Sequence, residues 1–252
     1  MVHFVGAGPG AKDLITVRGK ELLEKADVVI YAGSLVNTSL LDYAKKECKV
    51  YNSATMTLEE IIEVMEKYRD RTIVRLHTGE PSIYGAVREQ MDELDRLGIP
   101  YDSCPGVSAC FGAAASLNLE YTLPSVSQSL IITRMAGRTE VPSKESIESF
   151  ASHKASMAIY LSGSMLGELT ERLIEGGYSE DTPAAVVYKA TWPEEEKYIC
   201  RLADIESTAR EHNIRKTVLI LVGDVISRTA VEKSRLYAED FSTEFRKAKN
   251  DN

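Results

Sequence analysis

Short runs of apolar residues alternate with amphipathic stretches through the first half of the chain. Runs at 3–5, 28–31, 72–76 and 101–104 predict strands, and stretches at 16–26, 40–45, 57–68, 87–97 and 109–117 predict helices. Two helix starts carry capping residues: Thr16 before the first helix, and Thr57 with Glu60 as a capping box before a later one. Apolar strands that alternate with helices are typical of a parallel sheet covered on both faces.

The pattern changes after Asn118. Strands are predicted at 129–133, 158–161, 184–188 and 218–222, with a polar loop at 136–144, a helix at 165–174 and an antiparallel strand at 198–202. We therefore predict an α/β fold of two domains. The N-terminal domain, 1–118, has a mainly parallel sheet and glycine-rich loops; the C-terminal domain, 119–234, has a mixed sheet; and 235–252 form an exposed polar tail.

Composition narrows the class of protein. The 252 residues are 44% hydrophobic and 27% charged, which is ordinary for a soluble globular protein. The sequence has neither the roughly 18 uninterrupted apolar residues of a membrane span nor a basic-then-apolar leader, so we expect a cytoplasmic protein without membrane contact. A net charge of −8 argues against a nucleic-acid partner, but it permits an anionic small substrate held by a few local cations.

Cysteine and histidine spacing gives no metal signature. The four cysteines are scattered without a CxxC pair, and the four histidines have no ligand-like spacing. We expect reduced, partly buried thiols and no metal site.

The first glycine-rich loop, Val-Gly-Ala-Gly-Pro-Gly at 5–10, fits the start of a dinucleotide fingerprint, since Gly6, Gly8 and Ala11 have its spacing. Two features count against a nicotinamide or flavin site. The following helix cannot begin before Thr16, and the strand at 28–31 has its acidic residue, Asp27, at the wrong end. A Rossmann-type oxidoreductase and a turn that serves only chain geometry remain as alternatives.

Two further loops accompany the first one. Thr-Gly-Glu-Pro-Ser-Ile-Tyr-Gly at 78–85 and Pro-Gly-Val-Ser-Ala at 105–109 each follow a predicted strand and precede a predicted helix. All three loops should therefore emerge at the carboxyl edge of one parallel sheet, where open α/β folds place their ligands.

Together these loops resemble the tetrapyrrole methylase family, whose members move a methyl group from S-adenosylmethionine onto a porphyrinoid ring. The resemblance covers nearly the whole chain, and the segments at 27–35, 75–82 and 122–134 are similar to the branch that methylates carbon 11 of precorrin-4 or its cobalt complex in cobalamin biosynthesis. It implies a two-domain homodimer that binds S-adenosylmethionine in a cleft between its domains, beside an anionic tetrapyrrole.

The resemblance also implies site residues. The matching motifs place cofactor contacts at Pro9, Thr78, Gly79, Glu80, Ile83, Tyr84, Ser108, Ala109, Leu161 and Ala190. The family commonly has Gly-Asp-Pro where this chain has Gly79-Glu80-Pro81, so a direct contact from Glu80 is less secure. Because neither a phosphate-binding lysine nor a helix N-terminus is present at Pro9, the first loop suits a cofactor without phosphate. A side chain introduced at Gly79 or Gly106 is expected to occupy the cofactor's space.

Substrate and catalytic candidates follow from the implied chemistry. A ring with many carboxylates needs cations, for which Arg134 and Lys189 are the leading candidates, followed by Lys12, Arg75 and Arg138, and the loop tip at Gly8 and Gly10 can face the ring. No nucleophile is required, and the catalytic residues are unknown. A general base, if one is needed, would be Tyr84, His77 or Glu80. Another methylase of the same fold and a non-enzymatic tetrapyrrole carrier are the remaining alternatives.

Overall fold

The computed structural model describes residues 1–227 and 234–248 and divides into two compact units. The first unit contains Met1–Ser116 together with Lys189–Glu196, and the second contains Leu117–Tyr188 together with Lys197–Asn252. The segment Lys189–Glu196, which lies within the predicted C-terminal domain, thus packs with the first unit.

The first unit is built on a parallel sheet. Its strands in the described chain are β1 (Val2–Gly6), β2 (Val28–Tyr31), β3 (Lys49–Asn52), β4 (Ile73–His77) and β5 (Tyr101–Cys104), in the order β3-β2-β4-β1-β5. Each neighbouring pair is parallel, which confirms the predicted sheet type. The edge strand β3 was not predicted, because its residues are mostly polar or exposed and give no apolar run.

Helices cover both faces of this sheet, as the continuous apolar strands predicted. They include α1 (Val17–Lys25), α2 (Leu58–Lys67) and α3 (Arg88–Leu97), while α4 (Ala109–Leu117) follows β5. On one face Phe4 and Ile30 pack with α2 and α3, and on the other face Val5 and Val29 pack with α1. The connection from β1 therefore leaves on one face towards β2, and the connection from β4 leaves on the other face towards β5.

Local capping explains where these helices begin and end. The Thr16 hydroxyl accepts the N–H of Gly19 at 3.1 Å, and Thr57 and Glu60 form the predicted capping box. At the end of α3, Gly98 adopts a left-handed conformation with φ of 62°. The helix predicted at 40–45 is instead a short 3₁₀ helix, Thr38–Tyr43.

The second unit contains the predicted mixed sheet. Its described strands are β6 (Leu130–Arg134), β7 (Ser156–Tyr160), β8 (Pro183–Tyr188), β9 (Glu196–Arg201) and β10 (Val218–Val222), in the order β6-β7-β10-β8-β9. Strands β6 and β7 are parallel, whereas β10 runs antiparallel to β7 and β8.

One face of this second sheet packs against α5 (Ile147–Ala151), α6 (Leu166–Glu175) and α7 (Ile205–Glu211) in a continuous hydrophobic core. The short helices α5 and α7 were not predicted. In the predicted tail, the described residues include a 3₁₀ turn at Arg235–Tyr237 and a 94% exposed Phe245, while 249–252 lie outside the described residues.

Candidate functional site

Three glycine-rich loops meet at the carboxyl edge of the parallel sheet, as the sequence predicted. A Cβ atom on Gly6 would lie 2.5 Å from the Cα of Gly106 and 2.6 Å from the carbonyl oxygen of Gly79. Backbones can approach this closely only where glycine leaves out the side chain. Gly6 and Gly106 therefore join the loops after β1, β4 and β5 into one structure.

The loops after β1 and β4 are also paired by hydrogen bonds. The N–H of Gly79 donates to the carbonyl of Gly8 at 3.0 Å, and the N–H of Gly8 donates to the carbonyl of Gly79 at 3.3 Å. This pair lies where the connections from β1 and β4 depart on opposite faces of the sheet. Open α/β folds bind ligands at such a switch point.

Glu80 ties the second loop to the third. One carboxylate oxygen accepts the N–H of Gly106 at 2.8 Å, and the other accepts the N–H of Ser82 at 3.0 Å. Both oxygens are therefore used to hold backbone. This arrangement supports a role in shaping the loops more than a role as the base.

The turn that follows Glu80 is conformationally unusual. Tyr84 and Ala86 have φ of 55° and 48°, values that residues with a side chain rarely adopt. Ile83 donates its N–H to the carbonyl of Glu80 at 3.1 Å, and 45% of Tyr84 is exposed. Because strained backbone is found mainly at active sites and ligand-binding sites, this turn is a candidate ligand contact.

Gly79 lies in ordinary contact with the loop after β5. A Cβ atom there would have its nearest neighbours, the N of Ala109 and the Cα of Ser108, at 3.7 Å, which is ordinary contact. The structure thus brings Thr78 and Gly79 next to Ser108 and Ala109. At Gly106 the situation differs, because its Cβ would overlap the carbonyl oxygen of Gly79. The expectation that a side chain at Gly106 would fill cofactor space is therefore wrong: it would displace protein backbone.

His77 and Arg75 lie inside the first unit, on one face of β4. His77 is 4% exposed, stacks on Phe4 and has no hydrogen-bond partner for Nε2 among the described residues. Burial and the nearby Arg75 charge lower its pKa to about 3, so its ring is neutral at ordinary pH.

The position of Arg75 contradicts its proposed contact with the substrate. Its guanidinium is buried and donates to Gln90 Oε1 at 2.9 Å and to the carbonyl of Ile30 at 3.3 Å. Burial lowers its pKa to about 10, which leaves it charged at neutral pH. The apolar run that predicted the strand gave no sign that this arginine faces inward.

The first loop also contacts the segment Lys189–Glu196. The N–H of Ala11 donates to Thr191 Oγ1 at 3.0 Å, and Trp192 Nε1 donates to the carbonyl of Pro9 at 3.0 Å. Ala190, a predicted cofactor residue, is 7% exposed, and Lys189 Nζ lies 3.5 Å from the carboxylate of Glu194. Trp192 was not among the predicted site residues, although a single tryptophan in a turn after a buried strand was a usable signal.

The second unit carries two predicted site residues at one edge of its sheet. Arg134 ends β6 and is paired in register with Tyr160 of β7, which Leu161 follows. Leu161 is 65% exposed and has φ of 54°. The Arg134 guanidinium bonds the carbonyls of its own loop, those of Met135, Thr139 and Glu140, at 2.9–3.2 Å. Of the other cation candidates, Lys12 pairs with Asp42 at 3.0 Å and Arg138 is exposed.

The dinucleotide alternative finds little support in the first unit. The loop after β1 leads into a short 3₁₀ helix, Lys12–Leu14, and α1 begins only after Thr16. Asp27 accepts the N–H of Thr72 at 3.0 Å and pairs with Lys45 at 3.1 Å, interactions that lower its pKa. It thus lies at the amino end of β2, away from the loops, where it cannot hold a ribose.

The described residues also limit other kinds of site. Within residues 1–227 and 234–248, no group of three or more His, Cys, Asp or Glu side chains is arranged to hold a metal ion. No helix in that part of the chain is long and apolar enough to cross a membrane. All four cysteines are free thiols, with Cys104 and Cys110 buried.

The chain is similar to known proteins both as a family member and in comparison with individual relatives. The family described as Tetrapyrrole (Corrin/Porphyrin) Methylases matches residues 1–206. The chain is 52% identical over 249 residues to a cobalt-precorrin-4 C(11)-methyltransferase of Methanocaldococcus jannaschii, covering 98% of this chain and 96% of that protein. It is 44% identical over 238 residues to a precorrin-4 C(11)-methyltransferase of Pseudomonas aeruginosa, covering 94% of each.

A solved structure agrees with these relatives. The X-ray structure of cobalt precorrin-4 methyltransferase, a cobalamin biosynthetic enzyme, superposes with a TM-score of 0.87 at 42% sequence identity. The match covers 89% of this chain and 95% of that one. The α/β fold of the two units is therefore that of this solved enzyme.

Proposed function

The chain belongs to the tetrapyrrole (corrin/porphyrin) methylase family, and from this premise we propose that it transfers a methyl group from S-adenosylmethionine to carbon 11 of precorrin-4 or cobalt-precorrin-4. It is a C-methyltransferase of cobalamin biosynthesis. Within the structure, the proposal rests on one observation: three glycine loops meet at the switch point of the parallel sheet, where Gly79 pairs with Gly8 and lies against Ser108 and Ala109.

The loop residues fit this methyl donor. A bound S-adenosylmethionine would supply a methyl group already activated on a positively charged sulfur. The first loop does not open a helix, so it lacks the N-terminal dipole that favours a phosphate. The carboxylate of Glu80 adds a negative charge to the same edge, which suits a cation. We assign the donor contacts to Pro9, Thr78, Gly79, Ile83, Tyr84, Ser108, Ala109 and Ala190, with Leu161 of the second unit as a further predicted contact.

Positioning is the main task of these residues. Transfer from a sulfonium forms one carbon–carbon bond as the carbon–sulfur bond breaks, and its rate depends on holding the three atoms in line. Loops fixed by paired glycines and by Glu80 need little reorganisation to do this. No covalent enzyme intermediate is required.

A base that removes a proton from the methylated ring would have to come from exposed groups. His77 is buried with its pKa lowered to about 3, and the carboxylate of Glu80 is already bonded to two backbone N–H groups. Tyr84 is the candidate with an exposed side chain. The alternative is that the ring's own π-system accommodates the charge, so that the enzyme needs no base.

The proposed substrate rests more on the similarity to the relatives than on the positions of the candidate cations. Lys189 and Arg134 remain the proposed partners of ring carboxylates, although each already has partners in its own segment. Gly8 and Gly10 are the proposed ring-facing positions of the first loop. We further propose a cytoplasmic homodimer, which sedimentation equilibrium of the purified protein would test by giving twice the mass of the chain.

The function is tested by turnover and product analysis. Purified protein with S-adenosylmethionine and either precorrin-4 or cobalt-precorrin-4 should add one methyl group, located at carbon 11 by NMR. Calorimetry should detect binding of S-adenosylhomocysteine. Pigment binding without methyl transfer would indicate a carrier, and a methyl at another ring position would indicate a different methylase of this fold. Binding of reduced nicotinamide cofactor in place of S-adenosylhomocysteine would favour the oxidoreductase.

A further inference from the structure

The backbone of the first glycine loop is held mainly by residues outside it. The carbonyl of Pro9 accepts the indole N–H of Trp192 at 3.0 Å, and the carbonyl of Gly10 accepts the side-chain amide of Asn37 at 2.9 Å. Ala11 donates its N–H to Thr191 Oγ1 at 3.0 Å. Three successive residues of the loop are thus fixed by side chains distant in sequence.

The packing around this loop is equally close. A Cβ atom on Gly10 would overlap the Trp192 ring, so the indole lies directly against the backbone of Gly10. On another side of the loop, a Cβ on Gly112 of α4 would lie 2.8 Å from the Pro9 ring and 3.1 Å from Thr191 Cγ2. The Pro9 ring is therefore seated against α4.

The turn that carries Trp192 is itself held in place. Glu195 accepts the N–H of Thr191 at 2.6 Å through one oxygen and bonds the Ser116 hydroxyl through the other. Trp192 donates its backbone N–H to the carbonyl of Lys189 at 2.9 Å. Lys189 and Thr191 have φ of 45° and 69°, so the fold maintains a strained turn here.

We propose that Trp192 is a positioning residue that fixes the backbone of Pro9 and Gly10 for the methyl donor. This inference rests on the proposed function, since Pro9 is an assigned donor contact. The loop is rich in glycine and would sample many conformations without external contacts. An anchored loop binds its ligand without paying that ordering entropy at the moment of binding, and so with higher affinity.

The first test uses Trp192 as its own probe. The chain contains one tryptophan, so selectively excited emission reports this site alone. Titration of the wild-type enzyme with S-adenosylhomocysteine should change the emission along a saturable curve whose midpoint matches calorimetry. Calorimetric binding with unchanged emission would contradict contact between the donor site and this loop. Trp192→Phe, which lacks the fluorophore, is the blank.

The second test removes the anchor. Trp192→Phe keeps an aromatic ring but loses the N–H donor to Pro9, so the Kd for S-adenosylhomocysteine and the KM for S-adenosylmethionine should rise about three- to tenfold. The effect on kcat at saturating donor should be smaller. Thr57→Ala is the matched control, because it destabilises the first unit at the α2 cap, away from the loop, and should leave the Kd unchanged.

A third test uses a pair of variants to distinguish a local effect from misfolding. Gly10→Ala in the wild-type background should weaken S-adenosylhomocysteine binding, because the new methyl group displaces the indole. In a Trp192→Ala background the same substitution should have a smaller effect, since the ring is absent. Additive losses, or a wild-type Kd in Trp192→Phe, would overturn the positioning role alone. If the wild-type enzyme itself fails to bind S-adenosylhomocysteine, the proposed function is wrong as well.

Discussion

At the residue scale, His77 combines a position next to the candidate site with surroundings that keep it uncharged. Its ring is 4% exposed and stacked on Phe4, and Arg75 nearby opposes a second positive charge. The unpartnered Nε2 is a buried polar atom without compensation among the described residues. His77 is therefore poorly suited to act as a base, and its main effect is on the stability of the fold.

This environment predicts an acid-dependent loss of stability. The folded-state pKa of about 3 lies below the usual 6.5, so the unfolded chain binds an extra proton between these values. The contribution of neutral His77 is fully present above pH 6.5 and falls by about 1.4 kcal/mol per pH unit below it, or about 2 kcal/mol by pH 5. Urea unfolding from pH 7.5 to pH 5 should show this decrease.

The variant His77→Phe isolates the effect of the imidazole. It keeps a ring beside Phe4 and removes the unpartnered nitrogen, so its free energy of unfolding should equal or exceed wild type at pH 5 and vary less with pH. Methyl transfer should persist in this variant. Equal pH slopes for the two proteins would show that His77 does not titrate as described, and loss of turnover with intact cofactor binding would assign His77 to catalysis.

At the scale of the elements, the helix ends that depend on a few adjacent residues were predictable from the sequence. Thr16, the Thr57–Glu60 capping box and Gly98 set the ends of α1, α2 and α3 through local hydrogen bonds and backbone conformation. Strand β3 was missed because it forms by pairing with β2 and has no apolar run of its own that would indicate a strand. The convergence of the three loops followed from strand direction alone.

The sequence could not show which atoms a side chain would meet at each loop glycine. A Cβ on Gly106 would overlap backbone, whereas a Cβ on Gly79 would only come into ordinary contact with Ser108 and Ala109, yet both glycines occupy similar strand-to-helix loops. The same applies to Trp192, whose contact with Pro9 joins residues that are 183 positions apart. Such contacts are set by packing, so neither local spacing nor periodicity encodes them.

The two glycines should consequently respond differently to alanine. Gly106→Ala forces the third loop away from Gly79, and we expect a loss of at least about 2 kcal/mol in the free energy of unfolding. Gly79→Ala places a side chain at φ of 60° without overlapping a neighbouring atom, so the loss should be about 1 kcal/mol. Urea denaturation measures both values.

Measuring cofactor affinity distinguishes two effects of Gly79→Ala: backbone strain, which lowers stability, and a new methyl group in the donor site, which weakens binding. Gly98→Ala is the matched control, because Gly98 has φ of 62° and nothing within 4 Å of its missing Cβ. The two variants should lose similar stability, but only Gly79→Ala should weaken S-adenosylhomocysteine binding in calorimetry. If Gly79→Ala binds S-adenosylhomocysteine as tightly as Gly98→Ala does, Gly79 does not contact the donor.

At the scale of the whole molecule, the charge balance opposes the proposed substrate. The chain carries a net charge of −8, and a precorrin-type ring carries several carboxylates of the same sign. Two of the candidate cations, Lys12 and Lys189, are already paired with Asp42 and Glu194. The overall field should therefore slow the approach of the ring, and dissolved salt should screen that repulsion.

We accordingly expect the KM for the tetrapyrrole to fall about two- to fivefold as ionic strength rises from 20 to 200 mM. The KM for S-adenosylmethionine, which has a net positive charge, should move the opposite way or stay constant. A matched variant is Glu63→Gln with Glu66→Gln on the exposed face of α2, which changes the net charge from −8 to −6. Its salt effect should be smaller because less repulsion remains to be screened. A tetrapyrrole KM that rises with salt would instead mean that local cations such as Arg134 outweigh the field of the whole protein, and that these cations steer the ring into its site.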